Sequence, residues 1–137
     1  ECVVLCNQGI LYDSLGRPAE ARTCYEAALV VARELGDRRS EGQVLGYLGL
    51  LHARQARCDE ARTCLDTGEA LLREMSDRMS LGVLLCGRAE AAHLCGDLDA
   101  AKDTLAEAET LATAVGAGPE SELGAALARV RDFRFST

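Results

Sequence analysis

Seven cysteines and two histidines are the residues of this 137-residue chain whose chemistry is least generic. Cys24 and Cys64 close two copies of one pentapeptide, Glu-Ala-Arg-Thr-Cys, at 20–24 and 60–64. Two matched thiols could hold a metal, pair as a disulfide or cycle as a redox couple. Structural zinc, however, takes four ligands in tightly spaced pairs, and Cys2, Cys6, Cys24, Cys58, Cys64, Cys86 and Cys95 contain no C-x-x-C pair. An odd count also leaves one thiol over in any closed disulfide framework. His52 and His93 lack a neighbouring Ser or Cys–Asp arrangement that would make either a catalytic base. The expectation is therefore reduced cysteines serving as small buried apolar residues, with no metal, no cofactor and no enzymatic activity.

The elements that position these residues explain the repeated pentapeptide. Laying 9–48 over 49–88 without gaps makes 15 of the 40 positions coincide, among them Gly9/Gly49, Arg17/Arg57, Asp37/Asp77 and Gly42/Gly82. A third, more diverged copy at 89–128 keeps Ala101 under Ala21 and Ala61, Leu105 under Tyr25 and Leu65, and Gly116 under Gly36. Cys24 and Cys64 are thus copied positions of a tandem repeat, not a paired site.

Each copy reads as two helices. In 18–35, Ala21, Cys24, Tyr25, Ala28, Leu29 and Ala32 recur at steps of three and four, which puts them on one helical face. Pro18 suits a first turn, Gly36 the position beyond a C-terminus, and Asp37 and Ser40 the cap of the next helix. The periodicity predicts seven helices, at 2–15, 18–35, 39–55, 58–75, 79–95, 98–115 and 119–133, and no strand. Loops of two to four residues force antiparallel neighbours. Helical hairpins that cannot bury their apolar faces alone stack into a superhelical solenoid. The expected architecture is a single all-α domain over 1–137, whose last helix has no partner within the chain.

Bulk properties narrow the function class. A net charge of −7 and an isoelectric point near 4.8 oppose binding to a nucleic-acid backbone, which needs a basic footprint. Aromatics at 4% with no Trp leave little for base stacking. No apolar run reaches the roughly 20 residues of a membrane helix. The start lacks both an initiating Met and the features of a signal peptide, so a fragment of a larger cytoplasmic signalling or regulatory protein is expected.

The pattern resembles the tetratricopeptide repeat. Leu48-Gly49 matches the Leu-Gly pair of that family's first helix, Tyr12 its following aromatic and Gly16 and Gly96 its turn glycine. His52 takes the aromatic position in the second copy, so it reads as a packing residue. The small-large-small triplet of the second helix falls on Ala21-Tyr25-Ala28, Ala61-Leu65-Gly68 and Ala101-Leu105-Ala108. The 40-residue period exceeds the family's usual 34. It is similar to the longer variant in kinesin light chains, spindle adaptors and bacterial signalling ATPases and regulators. The resemblance implies a right-handed solenoid of about three hairpins plus a C-terminal helix, acting as a scaffold that binds a protein or peptide.

The repeat register places Val3, Cys6, Ile10 and Asp13, then Gln43, Gly46, Leu50 and Arg54, then Val83, Cys86, Glu90 and His93 on the concave groove. The places where some relatives clamp a peptide's C-terminal carboxylate hold Cys6, Ile10, Gly46, Leu50, Cys86 and Glu90, so an acidic tail is not the expected ligand. A mostly apolar groove is either a cradle for an apolar or amphipathic helix or a surface used for packing between helices. Gly42, Gly46 and Gly49 signal a close helix approach or a groove floor left open. The alternative function is self-association through the solenoid ends, with Leu123, Leu127, Val130 and Phe133 exposed at the last helix and Val3, Val4 and Leu5 at the first.

Overall fold

In the computed structural model, which describes residues 1–136 and their side chains as far as Asp132, the described residues form seven α-helices and no strand. They are α1 (Cys2–Ser14), α2 (Pro18–Leu35), α3 (Arg38–Arg54), α4 (Cys58–Glu74), α5 (Arg78–Leu94), α6 (Leu98–Val115) and α7 (Glu122–Ser136). Six of the seven follow the expected spans to within about a residue. α7 begins three residues later than expected, because Pro119 sits in a turn and Ser121 supplies the cap. The Ser121 hydroxyl accepts from the Gly124 amide at 3.0 Å and donates to the Gly118 carbonyl at 2.7 Å.

The other starts follow from side-chain chemistry. Asp37, Asp77 and Asp97 each accept the amide of the residue three positions on, Ser40, Ser80 and Ala100, all at 3.1 Å. These bonds satisfy an otherwise orphaned N–H at each helix start. The bonds from the Ser40 hydroxyl and then its amide hold the Asp37 carboxyl below its ordinary pKa.

Helix ends recur every twenty residues. Gly16, Gly36, Ala56, Ser76, Gly96 and Gly116 all take positive φ, the left-handed conformation that stops a helix. At Ala56 (φ 62°) and Ser76 (φ 55°) a side chain is forced into a region that favours glycine. Left-handed geometry costs an L-residue about 1–2 kcal/mol, partly offset by the entropy a glycine loses on folding. Ala56→Gly and Ser76→Gly are each expected to raise stability by about 1 kcal/mol, read as an upward shift of the urea midpoint. An unchanged or lower midpoint would show that the turn is not strained.

α1 packs on α2, α3 on α4 and α5 on α6, and α3 bridges successive hairpins by also touching α2 and α5. Two apolar cores result. One joins Tyr25, Ala28 and Leu29 of α2 to Val44, Leu45, Leu48 and Leu51 of α3. The other joins Leu65 and Leu72 of α4 to Leu81, Leu84 and Leu85 of α5, Leu105 of α6 and Leu123, Leu127 and Val130 of α7. The copied Ala21 and Ala61 are buried, and Ala101 is half-buried. The interior glycines mark close helix approaches: a Cβ on Gly42 would lie 2.8 Å from Leu72, and one on Gly49 2.7 Å from Leu65.

Two expectations are corrected here. α7 does have a partner within the chain: it packs chiefly on α5, and Leu123 covers Gly82, where a Cβ would meet it at 2.7 Å. Leu123, Leu127 and Val130 are therefore buried, not exposed, and Phe133 lies outside the residues whose side chains are described. The second correction concerns the thiols. Cys58 and Cys95 form a disulfide, while Cys2, Cys6, Cys24, Cys64 and Cys86 are free. Cys58 opens α4 and Cys95 follows α5, so the bridge joins ends of neighbouring helices from successive hairpins. Neither position carries Cys in the other copies.

Candidate interaction groove

α1, α3, α5 and α7 surround a cavity of about 450 Å³. The same register position in successive copies supplies Ile10, Leu50 and Glu90, so one apolar line ends in a carboxylate. Val83 and Cys86 extend the apolar surface on α5. Gly46 and Gly87 keep the floor low where α3 and α5 approach. A Cβ on Gly87 would meet nothing closer than 3.8 Å, so this floor position has room for a side chain.

The polar centre of the cavity is an ion triad built from three helices. Arg54 of α3 reaches Asp13 of α1 at 2.5 Å and Glu90 of α5 at 3.0 Å. Glu90 is almost fully buried, and two guanidinium nitrogens contact the same carboxylate oxygen. Burial alone would make Glu90 costly, and Arg54 offsets that cost while tying α3 to α5. With its charge already shared between two carboxylates, Arg54 is not a free clamp for a peptide carboxylate.

The second polar group comes from α7. The Tyr47 hydroxyl donates to Glu122 Oε1 at 3.0 Å, across 75 residues of sequence. The Tyr47 ring stacks on Tyr25, with centroids 6.0 Å apart. Burial, followed by the nearby charge of Glu122, pushes the Tyr47 phenol well above its ordinary pKa, so it remains a hydrogen-bond donor. Gln43 donates to the Ser80 hydroxyl at 2.8 Å and fixes the rim between α3 and α5.

Of the residues expected on the groove, Ile10, Asp13, Gln43, Gly46, Leu50, Arg54, Val83, Cys86 and Glu90 line this cavity. Val3 and Cys6 instead line a smaller one of about 190 Å³ beside Glu122. His93 is half-buried near the end of α5 and lines neither. Sequence reasoning missed Tyr47, Gly87, Glu122 and Arg129. Tyr47 and Gly87 share one register position and lie four residues after Gln43 and Val83, so the helical period could have found them. Glu122 and Arg129 needed the return of α7 onto α5.

The buried thiols show no sign of nucleophilic activation. Burial pushes the Cys86 thiol up to about 12 and the Cys6 thiol up to about 11, and it raises Cys64 as well. A thiolate, not a thiol, is the nucleophile. Among the described residues no three His, Cys, Asp or Glu side chains gather as a metal set, and no helix is long and apolar enough to cross a membrane.

His52 is only 5% exposed, and its Nδ1 has no hydrogen-bond partner. Burial, then the charges of Arg22 and Arg57, holds its pKa below the ordinary value. The unfolded chain therefore takes up this proton at a higher pH than the folded one does. The resulting stability is present above the unfolded value of ~6.5 and is lost as pH falls toward the lower folded value. His52→Leu is expected to flatten the loss of stability between pH 7.5 and 5.5. It should also gain about 1 kcal/mol at neutral pH by removing the unsatisfied nitrogen. Denaturant midpoints at the two pH values check this, and parallel curves for variant and parent would contradict it.

No curated protein matches this chain. A family model described as tetratricopeptide repeat matches residues 1–74, which span α1 to α4. Repeats of this family generally mediate protein–protein interaction. With hairpins stacked through copied small residues and a match over more than half its length, the chain belongs to the tetratricopeptide-repeat family.

Proposed function

We propose that this chain is a non-catalytic interaction module that captures an apolar or amphipathic helix of a protein partner in the groove between α1, α3, α5 and α7. The observation that carries the reading is the cavity itself. Ile10, Leu50 and Val83 offer apolar surface around a polar centre whose positions are already fixed by the Asp13–Arg54–Glu90 triad. A preformed concave site with a few anchored polar groups loses little entropy on binding. The apolar face of a helix would fill the wall, and its polar flank would meet Glu122 and Arg129.

Selection from a display library of helical peptides tests this directly. Peptides enriched on the parent protein are expected to lose at least about tenfold in affinity on Ile10→Glu and on Gly87→Leu. The first puts a charge on the apolar wall, and the second fills the open floor. Peptides that bind all three proteins equally would place the interaction surface elsewhere.

A second reading, association of two copies, draws on the outer face of α1. Val4, Leu11 and Leu15 are all more than half exposed there. Leu123, Leu127 and Val130 at the other end are buried and so contribute no such face. A monomeric mass by sedimentation at high concentration would eliminate this reading.

A further inference from the structure

We propose that the Cys58–Cys95 disulfide is a directional thiol-exchange site, at which a small thiol attacks Cys95 and expels Cys58. The bridge lies at the surface, with Cys95 exposed and Cys58 half-buried, beside a crevice of about 140 Å³ that also includes Ala61, Arg62, Ala92 and Asp97. Cys95 is therefore the more exposed of the two bridge residues to an incoming thiolate.

The two sulfurs also differ as leaving groups. Cys58 is the first residue of α4, where the positive helix end and the preceding Arg57 favour a thiolate, with Asp59 and Glu60 of the same turn opposing them. Cys95 follows the last turn of α5, where the helix end is negative. A thiolate is stabilised at the first place and disfavoured at the second, and exchange is faster when the departing thiolate is the more stable one. Access and leaving-group stability thus favour the same direction.

The step balances as ordinary exchange. The thiolate of a small monothiol such as glutathione forms a bond to the Cys95 sulfur. The Cys58–Cys95 bond breaks, and its electron pair leaves on the Cys58 sulfur, which then takes a proton from solvent. A second thiolate attacks the small-molecule sulfur of the mixed disulfide. That attack releases the Cys95 thiolate and the oxidised dimer of the small thiol. In total, one protein disulfide and two small thiols become two protein thiols and one small disulfide.

The remaining cysteines do not compete for this role. Cys2 and Cys86 are buried, and Cys6, Cys24 and Cys64 are half-buried and lie in no disulfide that could be attacked. Exchange would release the covalent tie between α4 and α5, the helix that carries Val83, Cys86, Gly87 and Glu90 of the groove. It would not by itself remove any groove residue.

The test treats the intact oxidised protein with glutathione under native conditions. The reaction is quenched in acid after a short interval, the free thiols are alkylated and the peptides are mapped by mass spectrometry. The expected early product carries glutathione on Cys95 and the alkyl label on Cys58, in roughly three- to tenfold excess over the reverse adduct. Circular dichroism in the same buffer confirms that the helices persist. Equal adducts on both residues, or an excess on Cys58, would overturn the stated direction. Exchange that occurs only once the helical signal is lost would overturn the site.

Discussion

Replacing both bridge cysteines, Cys58→Ser with Cys95→Ser, is expected to lower the unfolding free energy by about 3–4 kcal/mol. The two residues are 37 apart in sequence, and closing a loop of that length removes much of the freedom of the unfolded chain. The folded state should change little, because the helix ends that carry the two residues are also held by their own neighbours. Cys95 donates its amide to the Ala91 carbonyl at 2.9 Å, and the Arg57 carbonyl accepts the Ala61 amide at 2.9 Å. Urea titrations of the oxidised parent, the reduced parent and the double variant check the expectation. The last two should agree with each other and fall below the first. A double variant as stable as the oxidised parent would mean that the tie contributes nothing to the fold.

Adding one methyl group at Gly68 and at Gly87 should have opposite effects. Alanine in a helix gains up to about 1 kcal/mol over glycine at either position. At Gly68 the new Cβ would lie 2.9 Å from Leu84, 3.0 Å from the Gly42 carbonyl oxygen and 3.1 Å from the Leu45 Cβ. A carbonyl and a Cβ cannot rotate away, so α3 and α4 must separate where they cross. That overpacking should win, and Gly68→Ala is expected to cost about 2 kcal/mol net. At Gly87 the nearest contact is 3.8 Å, nothing has to move, and Gly87→Ala should gain about 0.5–1 kcal/mol. Thermal or urea midpoints for the pair decide the matter. A stabilised Gly68→Ala would mean that α3 and α4 do not approach at that crossing.

Much of this arrangement is written in local signals. Glycine after four of the helices, aspartate at the caps of α3, α5 and α6 and a 40-residue copy register together fix most helix boundaries. The same register carries Ile10 onto Leu50 and Glu90, which is why about half of the cavity's lining could be named from spacing. Two features follow from a different kind of information. The contact between Tyr47 and Glu122 spans 75 residues and depends on how far the stacked hairpins curve before α7 returns to α5. The Cys58–Cys95 bridge lies at helix ends, outside the apolar stripes, where neither hydrophobic period nor C-x-x-C spacing reports proximity. A parity argument about seven cysteines could not say which two would meet. His52 is the intermediate case: its register position marked it as a packing residue, and its missing hydrogen-bond partner emerged only with its surroundings.

The claim that the concave groove receives the partner is tested most directly by methyl NMR on the protein bound to a selected helical peptide. Resonances of Ile10, Leu50 and Val83 are expected to shift on titration, together with intermolecular contacts to those methyl groups. Methyl groups of Val30 and Leu35 on α2, both more than half exposed away from the cavity, should stay in place. Shifts and contacts confined to Val30 and Leu35, with Ile10, Leu50 and Val83 unmoved, would contradict the account.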